Sequence, residues 1–218
     1  MEKELMLLTK SAMFHNYCVV GIDLADGKLY RLSSNDEKIN YAMTEPLLRY
    51  ANGEIANPLD VVKVNFIKKA ERHIHQEDWL INEDIKLEKI RKGRITDIQS
   101  YVELDKPFIF GNTREFLRLE EVQQFGSSIQ IAIVQNVHIK LIPSSFDGTI
   151  KSKMDFTHND KSYTNFSVTD IDYFPYKIPQ GCKIDAAVVI FSLPEKPVGE
   201  NFYYKFVAKI YPVILKKK

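Results

Sequence analysis

A mostly β fold with short helices, arranged as two tandem five-stranded barrels joined by a helical connector, is what three features of this sequence predict. Short runs alternating apolar with polar residues recur through both halves of the 218-residue chain, the period of a half-buried strand. Aromatic residues make up 11 % of it, in keeping with the preference of strands for rings and β-branched side chains. Each half carries about five such runs, and a partly open Greek-key barrel closes a set of that size without long exposed edges. The expected boundaries are 1–82 for the first barrel, 83–125 for the connector and 126–218 for the second barrel.

In chain order, Leu5 to Thr9 opens the first barrel and Tyr17 to Asp23 follows. Asp26-Gly27 then separates Asp23 from the run Lys28 to Leu32; Asp-Gly between apolar runs predicts a hairpin with a tight type I′ turn. Thr44 to Tyr50 reads as a short helix, with Thr44 as N-cap, Pro46 in the first turn and Gly53 beyond the end. Asp60 to Ile67 and Trp79 to Ile81 complete the strands of this half. Asn82 to Lys92 reads as helical with Gly93 as its stop, and Thr96 is placed to cap a second helix over 97–102. Asn112 to Glu115 resembles a capping box, after which Phe116, Leu119, Val122 and Phe125 recur every three residues. Strands return at 129–133 and 137–141, with a bend near Gln135-Asn136 and Pro143 as a stop. Ile150, Met154 and Phe156 form one face of the next, opposite Lys151, Lys153 and Asp155. His158 to Lys161 is a turn into Ser162 to Val168, and Ala186 to Phe191 reads as a strand buried on both faces. Phe202 to Ile210 alternates again.

A hydrophobic content of 44 % with 27 % charged residues is that of a chain with a packed core. Thirty basic against 29 acidic residues leave a net charge of +1, so there is no global field to steer a polyanion and any nucleic-acid contact must be local. Two distant cysteines, Cys18 and Cys182, make neither a disulfide scaffold nor a metal site. The charged start Met1-Glu2-Lys3-Glu4 and the lack of a long apolar run place the expected location in the cytoplasm.

Leu8-Thr9-Lys10-Ser11, Tyr17 to Asp23, Tyr30-Arg31-Leu32, Leu59 to Val62 and Glu77 to Leu80 occur in that order. Met154-Asp155-Phe156, Tyr163, Val168-Thr169-Asp170 and Tyr203 to Ala208 continue the series. Taken together, this succession resembles the prokaryotic dual OB-containing domain family. The resemblance implies two oligonucleotide/oligosaccharide-binding (OB) barrels in one polypeptide and a setting in defence or mobile elements, and it carries no catalytic residues. The loop Ala12 to Asn16 departs from the smaller, glycine-containing turn expected there.

Barrels of this kind bind single strands with basic side chains along a groove and aromatic faces for stacking. Tyr203, Lys205, Lys209 and Tyr211 share one face of a predicted strand, and Lys151 and Lys153 offer another; the alternative is an ordinary solvated face with rings over lysine stems. Lys86, Lys89, Arg91, Lys92 and Arg94 follow Glu83 and Asp84, a distribution that also suits a helix dipole. Lys216 to Lys218 reads as a solvated tail. Thr9, Ser11, Tyr17 and Arg31 could converge on a phosphate or a base edge; otherwise Arg31 holds Asp23 across the hairpin and the hydroxyls satisfy strand ends. His73 and His75, with Glu71 or Glu77, fall short of a metal-ligand spacing, and mid-strand Cys18 reads as a small buried hydrophobe. Asp170 and Asp172 suggest turn chemistry rather than a catalytic pair. No phosphate-binding glycine loop or nucleophile elbow is present. No cofactor or metal is therefore expected, and an enzyme is the less favoured class. The leading expectation is a non-catalytic protein that binds single-stranded or locally open nucleic acid, with a protein-interaction subunit or a nucleotide sensor as alternatives.

Overall fold

The computed structural model describes residues 1–214 other than 71, 73, 145–146 and 199–200. The chain divides into two compact units, Met1–Tyr101 and Val102–Lys218.

In the first unit, alternation along the chain yields β1 (Glu2–Leu7), β2 (Ser11–Met13), β3 (Asn16–Ile22), β4 (Leu29–Ser33), β5 (Asp60–Lys69), β6 (Asp78–Ile81) and β7 (Glu88–Lys92). Five of them form a ring in the order β1-β3-β4-β6-β5, with β1 pairing back onto β5. Only the β4–β6 pair in this ring is parallel. Inward residues such as Leu5, Leu7, Val19, Leu32, Val62 and Val64 are almost wholly buried. Tyr30, Phe66 and Trp79 pack with ring centres 5.7–5.9 Å apart.

The second unit holds β8 (Phe116–Leu117), α1 (Leu119–Val122), β9 (Ile129–Pro143), β10 (Ile150–His158), β11 (Lys161–Val168), β12 (Cys182–Ser192), β13 (Tyr203–Tyr204) and β14 (Phe206–Pro212). Here β10-β11-β14-β12-β9 is a closed barrel. Counted along the chain, both rings join their strands in the same order, first-second-third-fifth-fourth, and in both the third and fifth run parallel. The two-barrel expectation therefore holds in its essentials. Phe156, Tyr163, Phe166 and Phe191 fill the second barrel with ring contacts of 4.7–6.1 Å.

Local departures have local causes. The first hairpin forms, with Ile22 opposite Leu29, but its loop spans residues 23–28. Asp23 accepts Ala25 N and Gly27 N, while Tyr101 Oη donates to Leu24 O at 2.7 Å; only Gly27 takes positive φ. The type I′ geometry lies instead at Asn159-Asp160, both at positive φ, in the turn between β10 and β11. The helix expected over Thr44 to Tyr50 is a three-residue 3-10 turn, Pro46–Leu48, with no side-chain cap from Thr44.

The connector expectation is corrected more deeply. Asn82 to Lys92 is not a helix: Glu88–Lys92 is a strand on the edge of β5, exposed along its whole length. Lys89 and Lys92 are drawn there by the buried Asp60, at 3.1 and 3.2 Å, a long-range attraction that a charge gradient mimics. Gly93 serves close packing, since a Cβ there would lie 2.5 Å from Met6 Sδ. The remaining helical readings shrink to the 3-10 turns Ile95–Tyr101 and Ile109–Gly111 and the single turn of α1. At α1 the Glu121 carboxylate accepts Arg118 N at 2.8 Å and Glu121 N donates to Arg118 O, while Asn112 Oδ1 accepts Arg114 N.

Gly181, before β12, has φ +71° and would place a Cβ 2.4 Å from Ile139 O. We expect Gly181→Ala to lower the stability of the second barrel by about 1–3 kcal/mol. A urea midpoint equal to that of the parent would refute this.

Candidate nucleic-acid interface

Alternation along β10 turns Met154 and Phe156 inward, as expected, with Ser152 beside them, and leaves Lys151, Lys153 and Asp155 on the outer face; Ile150, expected on the inner face, is exposed at the strand's start. The register then aligns Lys140 of β9, Lys153 of β10, Ser167 of β11 and Phe206 of β14 in one row across four strands. A groove of about 820 Å³ runs over this face, lined among others by Lys151, Lys153, Asn165, Ser167, Phe174 and Phe206.

The cations of the face differ in how they are satisfied. Lys140 is neutralised by Asp155 at 2.6 Å. Lys151 is exposed and 3.8 Å from the equally exposed Asp147, a pair of little energetic weight. Lys153 donates to Ser167 Oγ at 2.7 Å and has no carboxylate in ion-pair range among the described residues. Burial pushes its pKa below the usual lysine value, with the Glu115 charge acting the other way. A half-buried ammonium of this kind favours an incoming anion, which supplies the charge that its surroundings lack.

Tyr203, Lys205, Lys209 and Tyr211 were expected on a solvated face, and the structure covers them: all four are buried. Lys205 Nζ donates to Ile109 O, Asn112 O and Asn112 Oδ1 at 2.6, 2.8 and 2.9 Å. Lys209 Nζ lies 3.1 Å from Asp170 and 2.5 Å from Asp172. Asp170 also accepts Asp172 N and Ile210 N, so the turn chemistry expected of this pair is present and is combined with a barrel-locking ion pair. β14 reaches the groove through Phe206.

In the first barrel, Thr9 Oγ1 donates to Cys18 O and accepts Val20 N, and Ser11 Oγ donates to Cys18 O. These hydroxyls satisfy strand ends. Tyr17 lies under Lys10, 5.0 Å from the ring centre. Arg31 does not hold Asp23, which pairs with Lys3 at 2.8 Å. Instead its guanidinium meets Cys18 Sγ at 2.8 Å, Glu77 at 3.2 Å and Asp78 at 3.0 Å. Arg72 and His75 reach the same Asp78 at 2.6 and 3.5 Å. Sequence reasoning passed over this network, although two acids immediately before the apolar run Trp79 to Ile81 were a signal of it.

Of the other basic residues, Arg91 and Arg94 face Asp97. Cys18 is buried and burial pushes its thiol pKa up, away from nucleophilic use. Among the described residues no group of three or more His, Cys, Asp or Glu could hold a metal ion; Glu71, His73 and Lys216 to Lys218 lie outside them. No described helix is long and apolar enough to cross a membrane.

Compared with known families, the chain matches the Dual OB-containing domain across residues 3–210. No curated protein matches it.

Proposed function

Because the chain belongs to the Dual OB-containing domain family, we propose that it binds single-stranded nucleic acid, without catalysis, along the outer groove of its second barrel. OB barrels take oligonucleotides on the face of their second and third strands and on the adjoining loops. In the second barrel those strands are β10 and β11, and the groove lies over them. The observation that carries the reading is Lys153, a half-buried cation without an acidic partner among the described residues, beside exposed Lys151 and the rings of Phe174 and Phe206. Phosphates would answer the lysines and bases would stack on the rings.

The test is fluorescence anisotropy with labelled single-stranded DNA, single-stranded RNA and duplex across a salt series. Binding should favour single strands and weaken steeply with salt. The Lys151→Ala/Lys153→Ala double variant should lower the slope of log K against log salt by about 1.4, two released phosphate contacts at ~0.7 each. An unchanged slope sinks the groove. The runner-up reading, a protein-interaction subunit, draws on β7, an edge strand exposed on both faces and open to pairing. Absence of binding to all three nucleic acids would turn the assignment to it.

A further inference from the structure

A second cavity in the Val102–Lys218 unit, of about 360 Å³, is lined by Glu103, Lys106, Phe108, Phe110, Phe125 and Gln130 among others. It does not involve the groove residues and its reading does not depend on theirs. The walls are built rather than incidental. Gln130 uses both ends of its amide on them, Oε1 accepting Phe110 N at 2.7 Å and Nε2 donating to Phe108 O at 3.2 Å. Phe125 stands edge-on to Phe110 with ring centres 5.6 Å apart. Gly111, at φ +75°, leaves room for it, since a Cβ would come within 3.0 Å of Phe125 Cζ. Glu103 is anchored through its backbone, N to Ile131 O at 3.0 Å.

The side chain of Glu103 is half-buried against the cavity; burial pushes its pKa up, while the Lys106 charge and a backbone hydrogen bond at Ile131 act the other way. An ionised carboxylate offers two oxygens that only accept, and two parallel N–H donors match them. An organic cation would fit the carboxylate but not its company, because Lys106 lines the same cavity and Lys161 Nζ sits 4.9 Å over the Phe108 ring. Acceptor pair, aromatic walls and two lysines suit a flat ring with two adjacent N–H groups, carried on a phosphate. Among the common bases guanine has that edge, in N1–H and the 2-amino group.

We propose that this cavity is a guanine-recognition pocket, in which Glu103 accepts from N1–H and the 2-amino group while the phenylalanine rings hold the base. The base could come from a free nucleotide or be turned out of a single strand, as unstacked bases are when read by aromatic pockets.

Calorimetric titration of the full chain with GMP, IMP and AMP tests it, alongside a uridine-rich RNA with one guanosine or one inosine. IMP keeps N1–H and lacks the 2-amino group, so it should bind about tenfold more weakly than GMP, and AMP more weakly still. Glu103→Gln should melt like the parent and lose the preference for guanine, whereas Lys151→Ala/Lys153→Ala should keep it. Selectivity with GMP assigns the free nucleotide, and selectivity seen only in the RNA assigns a base within a strand. Equal binding of guanine and hypoxanthine in both settings overturns the proposal, as does an unaltered preference in Glu103→Gln.

Discussion

Asp78→Ala is expected to lower the stability of the first barrel by about 3–5 kcal/mol, a large share of a total that for a domain of this size is about 5–15 kcal/mol. The carboxylate is fully buried and stands among Arg31, Arg72 and His75. Burial by itself would raise its pKa, but the His75 hydrogen bond and the two guanidinium charges outweigh burial and hold it low. Removing it leaves Arg31 and Arg72 in a poorly solvated site, with Glu77 as the acid paired to Arg31. The position matters as much as the charge. Arg31 and Asp78 are register partners of β4 and β6, the one parallel pair of the ring, where closure relies on few ladder bonds. Trp79, the sole tryptophan, is the next residue, so urea unfolding followed by its fluorescence reports this barrel directly. A loss below about 1 kcal/mol would class the network with solvent-screened surface pairs. The same network makes the barrel acid-sensitive: a depressed carboxylate stabilises above its unfolded pKa, and that share is lost as pH falls through the folded value.

What could be read from the sequence was set by period, and what could not was set by distance along the chain. Asp60 to Ile67 and Ala186 to Phe191 declare themselves because alternation and continuous apolar runs are local signals. The strand Glu88–Lys92 does not, because its acid-to-base gradient suits a helix end equally well, and the Asp60 that settles the matter lies about 30 residues earlier. The same limit governs the groove. Lys151 and Lys153 were legible from β10 alone, since Met154 and Phe156 fix its inner face. The choice of face in Tyr203 to Tyr211 was not, because both alternating sets there contain rings or aliphatic residues. The lysines are covered because acceptors 37 to 96 residues away wait for them: Asp170 and Asp172 for Lys209, and the Ile109 and Asn112 oxygens for Lys205.

Lys205 provides the second large effect, and it is a function of pH. Burial brings its pKa down to about 7, from the usual lysine value near 10.4. Between those values the unfolded chain holds a proton that the folded chain has released, so the stability of the second barrel should rise with pH. The slope approaches about 1.4 kcal/mol per unit. Below pH 7 both states are protonated and this contribution is flat. The useful window ends near pH 9, where the Cys182 thiol and the buried phenol of Tyr211, both raised by burial and both in this barrel, act in the opposite sense. Lys205→Met should abolish the rise from pH 7 to 9. At pH 9 the variant should also be the less stable protein, because the oxygens of Ile109 and Asn112 lose their donor, at about 1–3 kcal/mol for a buried group left unsatisfied. The gap should narrow as pH falls, since the parent then bears the cost of a buried charge. Urea unfolding followed by tyrosine circular dichroism at several pH values measures both proteins, with Trp79 fluorescence recording the first barrel in the same samples. Parallel pH profiles for the parent and Lys205→Met would show that the ammonium is as well solvated by its three carbonyl oxygens as by water, and that its role is to tie β14 to the Ile109–Gly111 turn.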